Sequence, residues 1–440
     1  MRWYEKAGRL RSGAVNSRLD ALDKVQEGDR LMKKNSIAKK ATIARKTTSK
    51  EKTKTARIAK ESTNQARKNG LEKGERNEIR QLSKQQRLTV GLDLGDRSIH
   101  YCILGEAGEV VSEGRLDNTK TALASLFGKM VPSRVAIEVG THSPWISRHL
   151  AGMGHEVIVA NSRRVKSITE SVRKNDRLDA RQLARLARVD PELLSPIQHR
   201  GEEVQKDLGM IRSRAELVEG RTGLINSARG LVKPLGERLQ ECDADQVGEG
   251  LAEGLSEAAR SIVEPLLRAV EAISKEIQRL DERTEEMARR YPETKLLKQV
   301  YGVGELIALT YILTLERAER FAHSRDVGAY LGLTRKLRDS GESEPELGIS
   351  KEGDRYLRSL MVQAAHCILR RGAPDTDLRE WGLQKAAGGK RAKKRAVVAV
   401  ARKLAVLLHH LWATGEVYDP RYNRKAAEAA AAKVRAKVAA

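Results

Sequence analysis

The stretch from Leu88 to Val189 constrains the fold more tightly than any other part of this 440-residue chain. Three short runs come first: Leu88–Leu94 (LTVGLDL), Ser98–Leu104 (SIHYCIL) and the alternating Glu109–Leu116 (EVVSEGRL). A helical stretch follows over Thr119–Met130, then a buried strand over Arg134–Glu138 (RVAIE). Next come a helix over Pro144–Met153, with Trp145, Ile146 and Leu150 on one face, and a strand over Glu156–Ala160 (EVIVA). A helix over Leu178–Val189, with Leu183 and Leu186 inward, ends the series. Short apolar or alternating runs bounded by turn residues read as strands, and 3.6-residue periodicity reads as helix. A strand meander followed by alternating helix and strand predicts a mixed sheet flanked by helices.

Beyond about residue 200 the period is helical throughout. Val204, Ile211, Val218, Ile225 and Val232 recur every seven residues. After Pro234 and a Gly/Asp-rich stretch, Leu266, Val270, Ile273, Ile277, Leu280 and Met287 continue the pattern until Pro292. Two heptad helices joined by a loop predict an antiparallel hairpin or a dimeric coil over 201–292. A last helical block, 293–415, opens on Val300-Tyr301-Gly302-Val303-Gly304 before the apolar Leu306–Leu313. This has the shape of a helix-hairpin-helix, in which the turn at Gly302 and Gly304 offers backbone N–H groups to a phosphate. A plain helix cap fits the same residues. The expected architecture is α/β plus all-α: a mixed-sheet domain over 87–200, a heptad helical hairpin, and a helical C-terminal domain.

Charge separates the ends from the middle. Residues 1–90 hold 25 Lys/Arg against 10 Asp/Glu, and residues 385–440 hold 14 against 3, whereas 91–384 is close to balanced. Residues 1–86 therefore read as a disordered basic arm and 416–440 as a basic, Ala-rich tail. Basic ends around a neutral core point to a polyanionic partner, since Lys/Arg contacts release counterions from nucleic acid. No run approaches the ~20 apolar residues of a membrane span, and the first 20 residues have no secretory pattern. The three cysteines are far apart and fit a reducing, cytoplasmic setting. His142, His149 and His155 match no zinc spacing, and His409-His410 reads as a favourable helix C-terminus.

Four acids stand where chemistry could use them. Asp93 lies near the end of the first strand and Glu138 ends the fourth, while Asp176 and Asp179 share one face at the start of a helix. Each alone has a structural reading, as a turn former or, for Asp176, an N-cap. Together they ask for more, because an unpartnered carboxylate in an apolar strand costs roughly 2–7 kcal/mol. A divalent cation is an economical partner, and hard oxygen ligands suit Mg²⁺ or Mn²⁺. Two such ions about 3.5–4 Å apart stabilise both the attacking and the leaving oxygen of a phosphodiester displacement.

In this order of elements, Asp93, Glu138, Asp176 and Asp179 resemble the D-E-D-D set of the ribonuclease-H-like (RuvC-like) fold. Lys174-Asn175-Asp176-Arg177-Leu178-Asp179-Ala180, followed by Leu183-Ala184, resembles one family in particular. That family is the DEDD insertion-sequence transposases, the IS one-ten family of bridge-RNA-guided recombinases. The resemblance resumes at Gly302-Val303-Gly304, Tyr330-Leu331-Gly332-Leu333-Thr334 and Ser340-Gly341, and continues through Ser350-Lys351-Glu352-Gly353, Leu357-Arg358, Gly389-Lys390 and Ala399–Leu404. It implies that the four acids bind metal and that Ser340 is the nucleophile, forming a covalent phosphoserine. It also implies that the partners are element-end and target DNA and an element-encoded guide RNA, and that the chain is a homodimer or homotetramer. The residues expected to hold nucleic acid are Gly302, Gly304, Arg335, Lys336, Arg338, Lys351, Arg358, Lys390, Arg402 and Lys403. Ser343 is the nearest rival to Ser340, and the chain departs from the family pattern at Arg335, at Val139-Gly140 and at Asp339.

Two other readings compete. Gly91-Leu92-Asp93-Leu94-Gly95 also has the shape of the phosphate loop of sugar-kinase or actin-like ATPases, which predicts a second glycine-rich loop that the sequence does not supply. A non-catalytic nucleic-acid-binding scaffold would leave the acids structural.

Overall fold

A computed structural model describes residues 73–161, 176–336 and 347–425. The chain divides into two compact units, with the boundary after His199.

In the first unit a helix, α1 (Lys73–Gln85), precedes the sheet. The strands are β1 (Thr89–Leu94), β2 (Ser98–Leu104) and β3 (Val110–Asp117), then β4 (Arg134–Glu138) and β5 (Glu156–Ala160). Between them lie α2 (Lys120–Phe127) and α3 (Ser143–Gly152), and α4 (Asp176–Val189) follows. The sheet order is β3-β2-β1-β4-β5. β1, β2 and β3 pair antiparallel, while β4 and β5 run parallel to β1. This is the mixed sheet expected from the element order.

Alternation divides the sheet's two faces. Val90, Leu92, Ile99, Tyr101, Ile103, Val135 and Ile137 form one core with Leu123, Leu126 and Phe127 of α2 and with Ile146 and Leu150 of α3. On the other face, Ala136, Ile158 and Ala160 pack on Leu183 and Ala187 of α4, and Cys102 and Leu104 on Ala180 and Ala184.

The expected basic arm ends earlier than residue 86. Residues 73–85 are helical because Ile79 and Ser83 share a face that is buried on the sheet unit. Arg80 donates to the Ser125 carbonyl at 3.0 Å, and the Ser83 hydroxyl accepts from the Val131 N–H at 3.2 Å. The rest of the arm, 1–72, lies outside the described residues, as does 426–440 of the tail.

The second unit contains the two long helices, α5 (Glu202–Leu231) and α6 (Glu257–Ala288). They lie antiparallel: Asp207 bonds Arg290, Arg214 pairs with Asp281, and Arg221 donates to Ser274, so rising numbers on one helix meet falling numbers on the other. Ile225, Ala228 and Val232 pack with Val263, Leu267 and Val270 at one end, and Leu208 and Ile211 with Met287 and Ala288 at the other. Leu267, rather than the heptad's Leu266, is the fully buried leucine there.

The remaining helices are α7 (Glu293–Leu297), α8 (Glu305–Leu315), α9 (Asp326–Tyr330), α10 (Arg355–Leu369), α11 (Asp377–Ala386) and α12 (Lys390–Thr414). They enclose a core built on Leu297, Tyr311, Leu315, Met361, Val400, Leu404 and Leu408. By length and composition α12 is apolar enough to cross a bilayer, which corrects the expectation that no stretch passes that test. Its apolar face is spent on this core: Val400, Ala401, Leu404, Ala405, Leu408 and Leu411 are buried. His409 does not serve a helix end. It lies within α12, 2% exposed, with Nδ1 2.9 Å from the Ser324 hydroxyl and Nε2 2.9 Å from the Ala318 carbonyl.

Candidate active site

β1 and β4 pair in parallel up to Leu92 opposite Ile137. The next residue on each strand is an acid, so Asp93 and Glu138 stand side by side one position past the last paired residues. Asp93 also pairs with His100 of β2, and His100 with Arg115 of β3. One row across four strands therefore reads Glu138, Asp93, His100, Arg115.

The row below it shows which face this is. A Cβ on Gly91 would lie 2.0 Å from the Ala180 carbonyl oxygen and 2.6 Å from the Ala184 nitrogen, both in the backbone of α4. Residues two apart in a strand share a face, so Asp93 faces the α4 side with Gly91, and Glu138 does so with Ala136. Arg134, at the start of β4, donates to the Ala187 carbonyl at 3.0 Å, and Arg188 donates to the Glu106 carbonyl at 3.1 Å. The C-terminal end of α4 therefore lies over the starts of β1 and β4. Its first turn, carrying Asp176 and Asp179, lies over their ends, where the two strand acids are.

The closeness of α4 to the sheet follows from residue size. Gly91, Ala180 and Ala184 let backbone meet backbone. A second device, which the motif reading missed, fixes the helix sideways. Arg181 donates to both carboxylate oxygens of Glu113 on β3, at 2.9 and 2.7 Å, and Arg177 pairs with the same carboxylate. The Glu113 side chain is only 10% exposed. Arginines at i and i+4 on one helix face were the available signal, since such a pair calls for an acid on the surface it packs against. Cys102, beneath the same helix, has its thiol pushed up by burial, against the pull of Arg181.

Asp93, Glu138 and Asp179 are each half-buried, and the Asp176 side chain is outside the described set. Among the described residues, no three His, Cys, Asp or Glu side chains converge into a group able to hold a metal ion. Asp93 and Glu138, side by side at the ends of two strands beneath the helix of the D-x-x-D motif, offer hard oxygen donors of the type a divalent cation takes. Gly91 is not a phosphate cradle of the ATPase kind, because α4 fills the space beside it.

His142 and Asp96 flank this corner. They lie in the loops that follow Glu138 and Asp93, with His142 Nε2 3.2 Å from Asp96 Oδ1. His155 is structural. Burial pushes its imidazole below the ordinary value, and its Nδ1 accepts from the Ser133 N–H at 3.2 Å.

In the second unit, Arg335 and Lys336 are exposed on one arm of a small ribbon. Arg335 bridges Ile349, Lys336 N–H donates to Gly348, and Ser350 N–H donates to Thr334. Residues 337–346 between the two arms, with Arg338, Ser340 and Ser343, lie outside the described residues. Lys351 is exposed, with a φ of 58°. Arg358 is occupied within the fold, donating to the carbonyls of Leu331 (3.0 Å) and Glu352 (2.8 Å). A Cβ on Gly302 would come within 3.1 Å of the Ala364 carbonyl, so this glycine serves packing against α10, while Gly304 is open and precedes α8. Lys390 and Arg402 are exposed, and Lys403 Nζ lies 4.4 Å above the Trp381 ring.

Comparison with known proteins gives this arrangement a family. One family profile, described as a transposase with the DEDD domain of IS110, matches residues 90–235. A second, described as the transposase IS116/IS110/IS902 family, matches 294–379. The chain belongs to the IS110 family of transposases. The transposase for insertion sequence element IS1111A of Coxiella burnetii is 28% identical over 337 residues, which span 75% of this chain and 90% of that protein. A probable family 20 transposase of Pseudomonas aeruginosa is 26% identical over 343 residues, spanning 75% and 98% respectively. The transposase for IS1328 of Yersinia enterocolitica is 25% identical over 292 residues, 64% of this chain and 84% of the relative. Transposases cleave and transfer DNA strands, so this transposase is an enzyme acting on DNA. DEDD domains are in general divalent-metal dependent, and the sheet order and the covering α4 agree with the ribonuclease-H-like fold that such a domain implies.

Proposed function

We propose that this transposase cleaves and rejoins DNA strands at the corner where the ends of β1 and β4 meet the first turn of α4. Asp93, Glu138, Asp176 and Asp179 would hold Mg²⁺ or Mn²⁺, and Ser340 would supply the attacking oxygen. The observation that carries the reading is the row in which Asp93 and Glu138 are neighbours beneath the helix of the D-x-x-D motif. A bound divalent cation would polarise the scissile phosphodiester and neutralise charge on its oxygens.

The Ser340 hydroxyl oxygen then forms a bond to phosphorus, and the bond from phosphorus to one sugar oxygen breaks. The seryl proton is balanced by the proton taken up by the departing sugar hydroxyl. Attack by a hydroxyl from a second strand reverses the step and completes the exchange. Exposed Arg335, Lys336, Lys351, Lys390, Arg402 and Lys403 would hold phosphates, and an element-encoded RNA would supply sequence recognition by base pairing. A homodimer or homotetramer would bring two element ends together.

The test is recombination between element-end and target DNA with the element's own RNA, in Mg²⁺ and in EDTA. Asp93→Ala, Asp176→Ala and Ser340→Ala should each abolish exchange while nucleic-acid binding persists, and EDTA should do the same. Wild-type recombination by all three variants would leave the acids structural and the serine a turn residue.

A further inference from the structure

Two parallel strands are held together only as far as their last ladder bond, and the acids lie just past it. On their outer sides Asp93 stays paired with His100 of β2 and Glu138 with Ala160 of β5, so directly between the two acids any further tie comes from the loops beyond. The loop after Asp93 is closed on its own side. Gly95 N–H donates to the Ser98 carbonyl at 3.0 Å, and Asn118 Nδ2 donates to the Gly95 carbonyl at 2.8 Å. The loop after Glu138 is closed on its side too: Gly140 N–H donates to the Ser143 hydroxyl at 3.0 Å, and Ser143 is fully buried with His199 Nε2 at 2.9 Å.

Between these two closed loops runs the contact from His142 Nε2 to Asp96 Oδ1, 3.2 Å long. The Trp145 indole nitrogen is 3.3 Å from His142 Nδ1. An indole N–H can only donate, so Nδ1 is the acceptor, and in the neutral ring Nε2 carries the hydrogen that reaches Asp96. Trp145 belongs to α3 and packs against the sheet core, so the ring is anchored from behind.

We propose that His142 is a positioning residue of the strand-transfer site. By tying the loop after Asp93 to the loop after Glu138, it holds the two carboxylates at the spacing at which they share a divalent cation. This rests on the metal-binding reading of the acids. Side chains that orient metal ligands from behind change metal affinity or activity by about 10–100-fold when removed, although they touch neither metal nor substrate.

The experiment uses the full-length protein. Free Mn²⁺ is followed by electron paramagnetic resonance without nucleic acid, and cleavage of element-end DNA with the cognate RNA is followed across a Mn²⁺ series. His142→Ala should weaken Mn²⁺ binding by roughly tenfold and shift the Mn²⁺ dependence of cleavage by the same factor, with the rate recovered at saturating Mn²⁺. His142→Gln, whose amide can still donate, should recover part of the affinity. Asp96→Ala breaks the same bond from a side chain that is 89% exposed, so it should fold normally and give the same shift. The double variant should be no worse than either single one. Unchanged Mn²⁺ affinity in Asp96→Ala, or a rate defect in His142→Ala that saturating Mn²⁺ does not repair, would overturn the proposal. If the wild-type protein bound no Mn²⁺, the metal-binding reading itself would fall, an outcome distinct from normal wild-type binding with unaffected variants.

Discussion

A single absent methyl group sets the distance between the helix of the D-x-x-D motif and the strand that carries Asp93. Gly91 has backbone atoms of α4 where its Cβ would be, at 2.0 and 2.6 Å, and neither can move without moving the helix. Gly91→Ala should lower stability by about 1–3 kcal/mol, as overpacking does, read as a drop in the denaturant midpoint. It should also cut strand cleavage at least tenfold at unchanged nucleic-acid affinity. Gly209, in the middle of α5, has nothing within 4 Å of its would-be Cβ. Gly209→Ala should instead add about 0.5–1 kcal/mol, since glycine in a helix interior is costly. Equal effects of the two replacements would show that the close approach of α4 does not matter. Side-chain roles are harder to read at this scale. Arg358 looks like a phosphate ligand in sequence, yet its guanidinium closes a turn by bonding two backbone carbonyls.

The pair of long helices shows the same limit at the scale of elements. The heptad in α6 is apolar, and Val263, Val270 and Ile277 are buried along it. In α5, one row at seven-residue spacing is charged: Asp207, Arg214 and Arg221. Asp207 and Arg221 are buried, and each residue of the row meets a polar partner on or next to α6. Asp207 accepts from Arg290 at 2.7 and 2.9 Å and from the Tyr291 hydroxyl at 2.7 Å. Burial first, and this hydrogen bond second, hold the Tyr291 phenol well above the ordinary value. Asp207→Ala should therefore destabilise the second unit by about 1–3 kcal/mol, the usual cost of stranding buried polar groups, measured by guanidinium unfolding. Alkaline ultraviolet titration should show the Tyr291 phenol ionising at lower pH, because its acceptor is gone and only burial and the smaller effect of the Glu203 charge are left to hold it up. An unmoved tyrosine titration would mean that Asp207 does not carry this contact.

Across the whole molecule, the charge asymmetry of the sequence is partly visible in the fold. The C-terminal segment spends Arg421 and Arg424 on Asp375 and Glu380. The start of α12 has no acid in its first turn, and Lys390, Arg391, Lys393 and Lys394 are all exposed there. Four cations at the positive end of a helix dipole repel it, and phosphates nearby would relieve that repulsion. Replacing these four residues with alanine should reduce the slope of log affinity against log salt by up to about 3–4, at roughly 0.9 for each duplex phosphate no longer neutralised. Filter binding of element-end DNA from low to moderate salt measures it, and an unchanged slope would remove this helix end from the interface.

Local physics made much of this transposase legible from its residues alone. Short apolar runs bounded by turn residues favour strands, and three expected strands, Ser98–Leu104, Arg134–Glu138 and Glu156–Ala160, have those limits in the fold. The acids were conspicuous for a similarly local reason, namely charge inside apolar runs. Which faces meet was not local. That Asp93 and Glu138 become neighbours depends on β4 choosing β1 as its parallel partner. That α4 runs back across them depends on Glu113, more than 60 residues earlier, receiving Arg177 and Arg181. His409 left the helix end expected of it because Ala318 and Ser324 fold back to bond its ring. Spacing along the chain determines which residues can share a face, whereas contacts between distant segments decide what that face is set against.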